Sequence, residues 1–252
     1  MKNIGIKSYL NDKEVDSRSN LVTLLKDCPI PSDQMLENLG LFLTSKDLSR
    51  ILFMDYIYKQ IVDIQGVVFD FGTRWGNNLA IFTALRGIYE PFNRARKIIG
   101  FDTFQGFPSI SEKDGKSDLM KVGNIATTDN YSEYLNNIIQ VHESVNPLSH
   151  IKKHDIVVGD ATKQLPIYLE NNPETIVSLV YFDFDIYDPT KKCLEIILPR
   201  LTKGSVLAFD ELNDHDSPGE TLALMEVLSL NKVKLQRYRY TSRVSYFVFE
   251  GM

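Results

Sequence analysis

The sequence predicts an α/β protein: a mostly parallel sheet closed by an antiparallel C-terminal hairpin, with a helical extension at the N-terminus. Three observations carry this. From residue 67 onward, short runs rich in Val, Ile and Phe recur at 67–71, 97–101, 155–158, 177–184 and 204–209. Helix-compatible stretches at 77–89, 131–144, 161–170 and 190–200 lie between them. Short apolar strands alternating with helices are the pattern of βαβ units, whose sheet is covered on both faces. The chain then ends differently. "KVKLQRYRY" and "RVSYFVFE" are strand-like runs parted only by Thr241 and Ser242, which reads as an antiparallel hairpin.

The elements follow in order. The chain reads as helical to about residue 64. In "TSKDLSRILFMDYIYKQIVDI", Thr44 is placed to cap a helix and Asp47, three residues on, completes a variant of the capping box. Leu48, Ile51, Leu52, Tyr56 (or Asp55), Lys59 and Val62 share helical spacing and are expected to pack down, and Gly66 ends the segment. Residues 1–64 are therefore the extension and 65–252 the α/β domain. The stretch 103–130, rich in Gly, Ser, Asp and Lys, reads as a loop over one end of the sheet, and loops of that length are usually functional or disordered.

Bulk composition excludes several classes. The 252 residues are 43% hydrophobic and 24% charged, ordinary values for a globular protein that buries its own core. A net charge of −5 argues against a nucleic-acid partner. Cys28 and Cys193 are far apart and in no ligand spacing, as expected for reduced thiols. The N-terminus has no apolar signal region and no run is long enough to span a bilayer, so a soluble cytoplasmic protein is expected, with no membrane partner.

In open parallel sheets, ligands bind outside the carboxyl ends of the strands. Here those ends carry acids: Asp70-Phe71-Gly72, Asp102, Gly159-Asp160, Asp183 with Asp185, and Asp210-Glu211. One such acid is uninformative, because Asp often caps the following helix. Five in register point to a ligand rich in hydroxyls, amines or cationic groups. In "DFGTRWGNN", Gly72 and Gly76 sit where strand turns to helix, but the G-x-G-x-x-G spacing that brings backbone against a pyrophosphate is absent. Asp102 suits a bidentate contact to ribose hydroxyls, which NAD enzymes and S-adenosylmethionine (SAM) enzymes both use, or a turn cap.

"YFDFDIYDP" places Asp183 and Asp185 among aromatics, where a charge is costly unless it is paired or bound. Two residues apart, both acids project to one side if the strand continues. Asp183, Asp210 and Glu211 should converge, and such a cluster needs a cation, a raised pKa or donor partners. All-oxygen ligation suits Mg²⁺ or a similar hard ion. The other arrangement has Asp185 and Asp210 capping loops while Asp183 alone faces the pocket. Of the histidines, His215 follows the strand-five acids and is either a general base or a loop residue. The basic residues of the final hairpin, Arg243 among them, read as a solvated face.

The succession "GVVFDFGTRWGNN", "KIIGFDTFQGFP", "VVGDATKQLP", "LVYFDFDIYDPTKKCLEIILPRLTKGSVLAFDELN" and "PGETLALMEVL" resembles the macrocin O-methyltransferase family, from about residue 45 to the C-terminus. These are class I (Rossmann-like) SAM-dependent enzymes that methylate sugar hydroxyls, and their sheet ends in an antiparallel strand. The resemblance implies that Asp70, Gly72 and Gly76 line the methionine part of SAM. Asp102 would hold the ribose with Thr103 and Phe104 beside it, and Asp160 and Ala161 would flank the adenine. It also implies a divalent metal, Mg²⁺, on Asp183, Asp210 and Glu211, and a homodimer or higher homo-oligomer with residues 1–64 as dimer contact. Apart from the resemblance, residues 1–64 and loop 103–130 are expected to cover the acceptor pocket, because the SAM-binding core has no other lid. Asp183 or His215 would accept the proton of a small-molecule sugar, probed best as a nucleotide-linked or natural-product deoxyhexose. Two residues depart from the family pattern: Asp70 stands where Glu is usual, and Glu211 where the second Asp of an acidic pair is usual. The rival readings are an NAD-dependent oxidoreductase and a SAM-binding scaffold without catalysis.

Overall fold

The computed structural model of the protein describes residues 10–251. The strands are β1 (Val67–Phe71), β2 (Ile98–Asp102), β3 (His154–Val158), β4 (Val177–Phe182), β5 (Leu201–Phe209), β6 (Gln236–Arg237) and β7 (Ser245–Val248). They form one sheet in the order β3-β2-β1-β4-β5-β7-β6. The first five are parallel, and β7 runs antiparallel to both β5 and β6. The helices are α1 (Asp12–Lys26), α2 (Ser45–Lys59), α3 (Asn77–Tyr89), α4 (Tyr131–Ser144), α5 (Ala161–Asn171), α6 (Tyr187–Ile197) and α7 (Gly219–Val227). This is the expected class I α/β sheet with its antiparallel hairpin.

Alternation along the strands divides the core. Val67, Phe69 and Phe71 of β1, with Phe101, Phe182, Phe209 and Phe247, pack against α5, α6 and α7. The rings of Phe182 and Phe209 stack 4.8 Å apart and nearly parallel. Val68, Ile98, Leu179, Tyr181, Val206 and Ala208 face the other way, against α2, α3 and α4. Asp70 shares this second face by its position on β1, and it is fully buried.

Three local expectations change. Helix α2 begins at the expected cap, with the Thr44 hydroxyl accepting from Asp47 N and the Asp47 carboxylate accepting from Thr44 N. Its buried face, however, is Phe53, Met54, Ile57 and Tyr58, while Leu48, Leu52 and Tyr56 are exposed. Aromatic packing sets this rotation: Phe53 lies against Tyr181, Tyr238 and Tyr246. The terminal hairpin is wider than a two-residue turn. Only Gln236 and Arg237 pair with β7, because Tyr238 leaves the ladder to pack on Phe53 and Tyr56. Strand β4 stops at Phe182, so Asp183 and Asp185 do not share a strand face; Asp185 takes a left-handed backbone, φ 62°.

The segment 103–130 is a folded loop. Phe107 and Met120 pack on Ile186, and Asp114, buried, accepts from the backbone N–H groups of Ser111 and Tyr187, both at 2.6 Å. Helix α1 differs from the other six α-helices in burying no side chain.

Candidate active site

A cavity of about 420 Å³ opens at the carboxyl ends of β1 to β5, within the size range of small-molecule sites. Gly72, Asp102, Thr103, Asp160, Ala161, Asp183, Asp210 and Glu211 all line it. Loop 103–130 covers one side through Phe107, Leu119 and Ile125, and α2 contributes Arg50.

At one end the chain turns from β1 into α3. Gly72 has φ 81°, and a Cβ there would lie 1.9 Å from the carbonyl oxygen of Asp183. The ends of β1 and β4 therefore meet backbone to backbone, which glycine alone permits. Gly76, at φ 77°, is the residue before α3, and a Cβ would collide with Leu135. It shapes the turn without lining the cavity. Asp70 also lies beneath the cavity: its Oδ1 accepts from Asn78 Nδ2 at 3.3 Å, and its Oδ2 is buried without a partner. Burial pushes its pKa up to about 6.

Asp102 is held by backbone on both oxygens. Arg74 N donates to Oδ2 at 2.8 Å and Phe104 N donates to Oδ1 at 2.6 Å. Burial raises its pKa, and these two donors oppose the rise. Each oxygen keeps a lone pair, so both the turn-cap and the hydroxyl-acceptor readings of this residue are satisfied at once. Thr103 beside it donates to Gly106 O at 2.7 Å. Phe104 packs into the α2–α4 side of the core and does not line the cavity. Asp160 caps α5, accepting from Thr162 N at 3.0 Å, with Ala161 next to it. Backbone turns with left-handed residues at Gly72, Arg74, Gly76 and Phe104, and a carboxylate with free lone pairs, form a set that fits the polar ends of SAM.

At the other end the acids of β4 and β5 are held by arginines. Arg50 donates from one terminal nitrogen to Asp183 Oδ2 and from the other to Asp210 Oδ1, both at 2.9 Å. Its Nε donates to Asn78 Oδ1 at 3.2 Å. Asp210 Oδ1 also accepts from the Tyr181 hydroxyl at 2.5 Å. Arg243 pairs with Glu211 and lies 3.4 Å from Asp214. Behind them Glu220, fully buried, accepts from Phe184 N at 3.0 Å and Glu211 N at 3.3 Å. Burial, then Asp210, pushes the Asp183 pKa well up, against the pull of Arg50. Burial and Asp210 likewise raise Asp185, to about 7.

This arrangement does not support the expected Mg²⁺ site. Among the described residues no three Asp, Glu, His or Cys side chains gather as a metal ion would need. Arg50 takes an oxygen from each of Asp183 and Asp210, and Arg243 draws Glu211 to itself, so the three acids do not fit a metal as they stand. His215 is exposed and does not line the cavity, although its neighbours Asp214 and Asp216 do; it is a loop residue. Sequence reasoning missed Arg50, Asn78 and Glu220, and placed Arg243 on a solvated face. The available signal was the acid cluster itself, which demanded a cation from somewhere else in the chain.

No protein-family model matches the chain, and no curated protein does. Solved structures do. The calicheamicin methyltransferase CalS11 is similar to it at TM-score 0.94 and 38% identity, over 99% of this chain and 97% of that one. The chain belongs to the O-methyltransferase family of CalS11. The apo structure of CalS11, described as a TDP-rhamnose 3'-O-methyltransferase, matches at TM-score 0.85 and 36% identity over 96% of each chain. The O-methyltransferase NovP, at 15% identity over 80% of each chain and TM-score 0.61, shares the fold. The protein is thus a SAM-dependent O-methyltransferase, which agrees with the resemblance carried by its motifs.

Proposed function

We propose that the protein methylates a hydroxyl of a deoxyhexose, carried on a nucleotide or on a natural product. The observation that carries this is the near full-length likeness to CalS11, whose described substrate is a nucleotide-linked deoxysugar. The cavity supports it: one end is lined by backbone turns and the other by acids.

SAM would supply an electrophilic methyl group. The turn at Gly72 would receive its methionine part, with Asp70 and Gly76 fixing that turn from beneath. Asp102 and Thr103 would hold the ribose, Phe104 would pack behind them, and Asp160 and Ala161 would flank the adenine. Asp183 would accept the proton of the sugar hydroxyl, since a buried carboxylate with a raised pKa is a stronger base than a solvated one. Holding acceptor and donor in line can supply about 7–11 kcal/mol of the acceleration. Residues 10–64 of the extension and loop 103–130 would cover the acceptor; residues 1–9 lie outside the described residues.

The N-terminal segment also supports a homo-oligomer. Helix α1 buries nothing, and an isolated helix of this length is marginal in water. Leu24, Leu36 and Leu41 are 56%, 79% and 64% exposed. A second copy covering them would stabilise the segment.

Mass spectrometry of reactions with SAM and a panel of nucleotide-linked deoxysugars tests the reading, with light scattering on the same preparation to size the assembly. A methylated product with at least one sugar, lost when its hydroxyl is absent, is expected. SAH binding with no turnover on any member, or methylation of phenols instead, would reject a sugar acceptor. A monomer would reject the assembly.

A further inference from the structure

The acids at the ends of β4 and β5 pose an electrostatic problem that the chain solves with its own side chains. Asp183 and Asp210 end neighbouring strands, and two carboxylates this close repel each other, a repulsion that a cation between them offsets. Arg50 stands there. Its guanidinium spends Nε on Asn78 Oδ1 and one terminal nitrogen on each carboxylate. The planar fork of arginine fits such a bridge, where a lysine could make only a point contact.

The arginine is itself held in place. Asn78 is buried and is turned by its other bond, from Nδ2 to Asp70 Oδ1. The guanidinium carbon lies 5.7 Å from the centre of the Tyr181 ring, and the hydroxyl of that ring donates to Asp210. Helix α2 carries Arg50 on the turn before Phe53, whose ring packs on Tyr181 and Tyr246. The cation is thus seated by a buried amide on one side and an aromatic ring on the other. Each carboxylate keeps its second oxygen off the guanidinium. Next to this pair the motif repeats: Arg243 serves Glu211 and Asp214, again two acids to one arginine.

We propose that Arg50 is the resident cation of the acceptor end: it positions Asp183 and Asp210 in place of a divalent metal, and methyl transfer in this protein proceeds without one. The inference rests on the methyltransfer reading of this cavity. It assigns α2 a role beyond covering the acceptor, since the N-terminal segment then completes the electrostatics of the site. Arg50 is a positioning residue, acting through the two carboxylates.

The test uses the full chain with SAH bound, and Mn²⁺ as the probe, followed by electron paramagnetic resonance. Wild type, Asp183→Asn, Arg50→Lys, Arg50→Ala and Arg50→Ala/Asp183→Asn are titrated, and turnover is measured in chelator and in Mg²⁺. Wild type should show no Mn²⁺ site that depends on Asp183, and its kcat should be the same in chelator. Arg50→Ala should lose about a hundredfold in kcat, the scale of a misplaced reacting group, with SAH affinity kept. It should gain a Mn²⁺ site that the double variant lacks. Arg50→Lys should keep part of the chelator-resistant rate. Stoichiometric Mn²⁺ on wild type that Asp183→Asn abolishes, or a wild-type rate lost in chelator and restored by Mg²⁺, would overturn the proposal, as would full chelator-resistant turnover in Arg50→Ala. If Arg50→Ala fails to bind SAH, the wild-type and Arg50→Lys arms decide. The Mn²⁺ titration needs no acceptor, so an error in the sugar reading shows only as missing turnover and leaves the cation result intact.

Discussion

The two ends of the cavity are built by different means. Under β2 and β3 the acids answer to backbone. Asp102 takes two N–H groups from residues within its own turn and the neighbouring one, and Asp160 caps the helix that follows it. Under β4 and β5 the acids answer to side chains from distant parts of the chain. Arg50 reaches Asp183 across 133 positions and Asp210 across 160. A site of the first kind is fixed once the local turn forms. A site of the second kind exists only when α2 has docked on the sheet. The cofactor end should therefore tolerate changes that ruin the acceptor end, and the reverse should be rarer.

The point where the two ends touch is Gly72, and breaking it should have the largest effect. A Cβ at this residue would press into the Asp183 carbonyl, and its φ of 81° is one that alanine resists. Gly72→Ala is expected to cost about 3 kcal/mol or more and to weaken SAH binding and turnover together. Urea melts and calorimetry check this. An unchanged melt would mean that the strand ends separate freely, and the contrast drawn above would lose its hinge.

The same contrast sets what could be read from sequence. Strand periodicity, the Gly72 and Gly76 turn, the Asp102 and Asp160 ends and the Thr44 cap all rest on near neighbours, and the structure keeps them. The rotation of α2 was not legible, because Leu48 and Leu52 have the same spacing as the face that is buried, and only Tyr181, Tyr238 and Tyr246 decide between them. With that rotation went Arg50, which lies three residues before Phe53 on the buried side. Arg243 was hidden for a related reason: in a run of exposed Lys and Arg, nothing local marks the one that will find Glu211 and Asp214. Charge balance showed that a cation was needed and could not say which.

Asp70 offers a sharper, smaller test, because it is a buried acid between the two ends, bonded to Asn78 and with no ion pair of its own. Burial raises its pKa from an ordinary value near 4 to about 6. Below about pH 4 it is protonated in both folded and unfolded chains and costs nothing. Between about pH 4 and pH 6 the unfolded chain releases the proton while the folded chain keeps it, so stability falls as pH rises through this window and then levels. The loss is on the order of 3 kcal/mol for a shift of this size. Asp70→Asn keeps an acceptor for Asn78 and removes the charge, so it should be more stable than wild type at pH 7.5 and equal to it at pH 4. The difference between the two stability-against-pH curves isolates this residue from Asp183 and Glu220, which titrate in both proteins. Parallel curves would show that Asp70 is already satisfied in the folded chain.

The smallest effect should come from the cofactor end alone. Asp102→Ala removes the acceptor for two backbone N–H groups and, on the proposed reading, for the ribose hydroxyls. Losing a charged hydrogen-bond acceptor costs about 1–3 kcal/mol, roughly five- to 150-fold in affinity. The turn itself should hold, because Gly72 N and Thr73 N still donate to Phe101 O and Gly76 N to Thr73 O. Calorimetry should then show weaker SAH binding, while Arg50, which touches no residue of this turn, still spans Asp183 and Asp210. If acceptor KM rises as much as SAH Kd, the two ends are mechanically coupled and the backbone-built half is not independent. If SAH affinity is unchanged with the fold intact, Asp102 serves only to tie residues 74 and 104 together, and the ribose must be held by other groups lining the cavity.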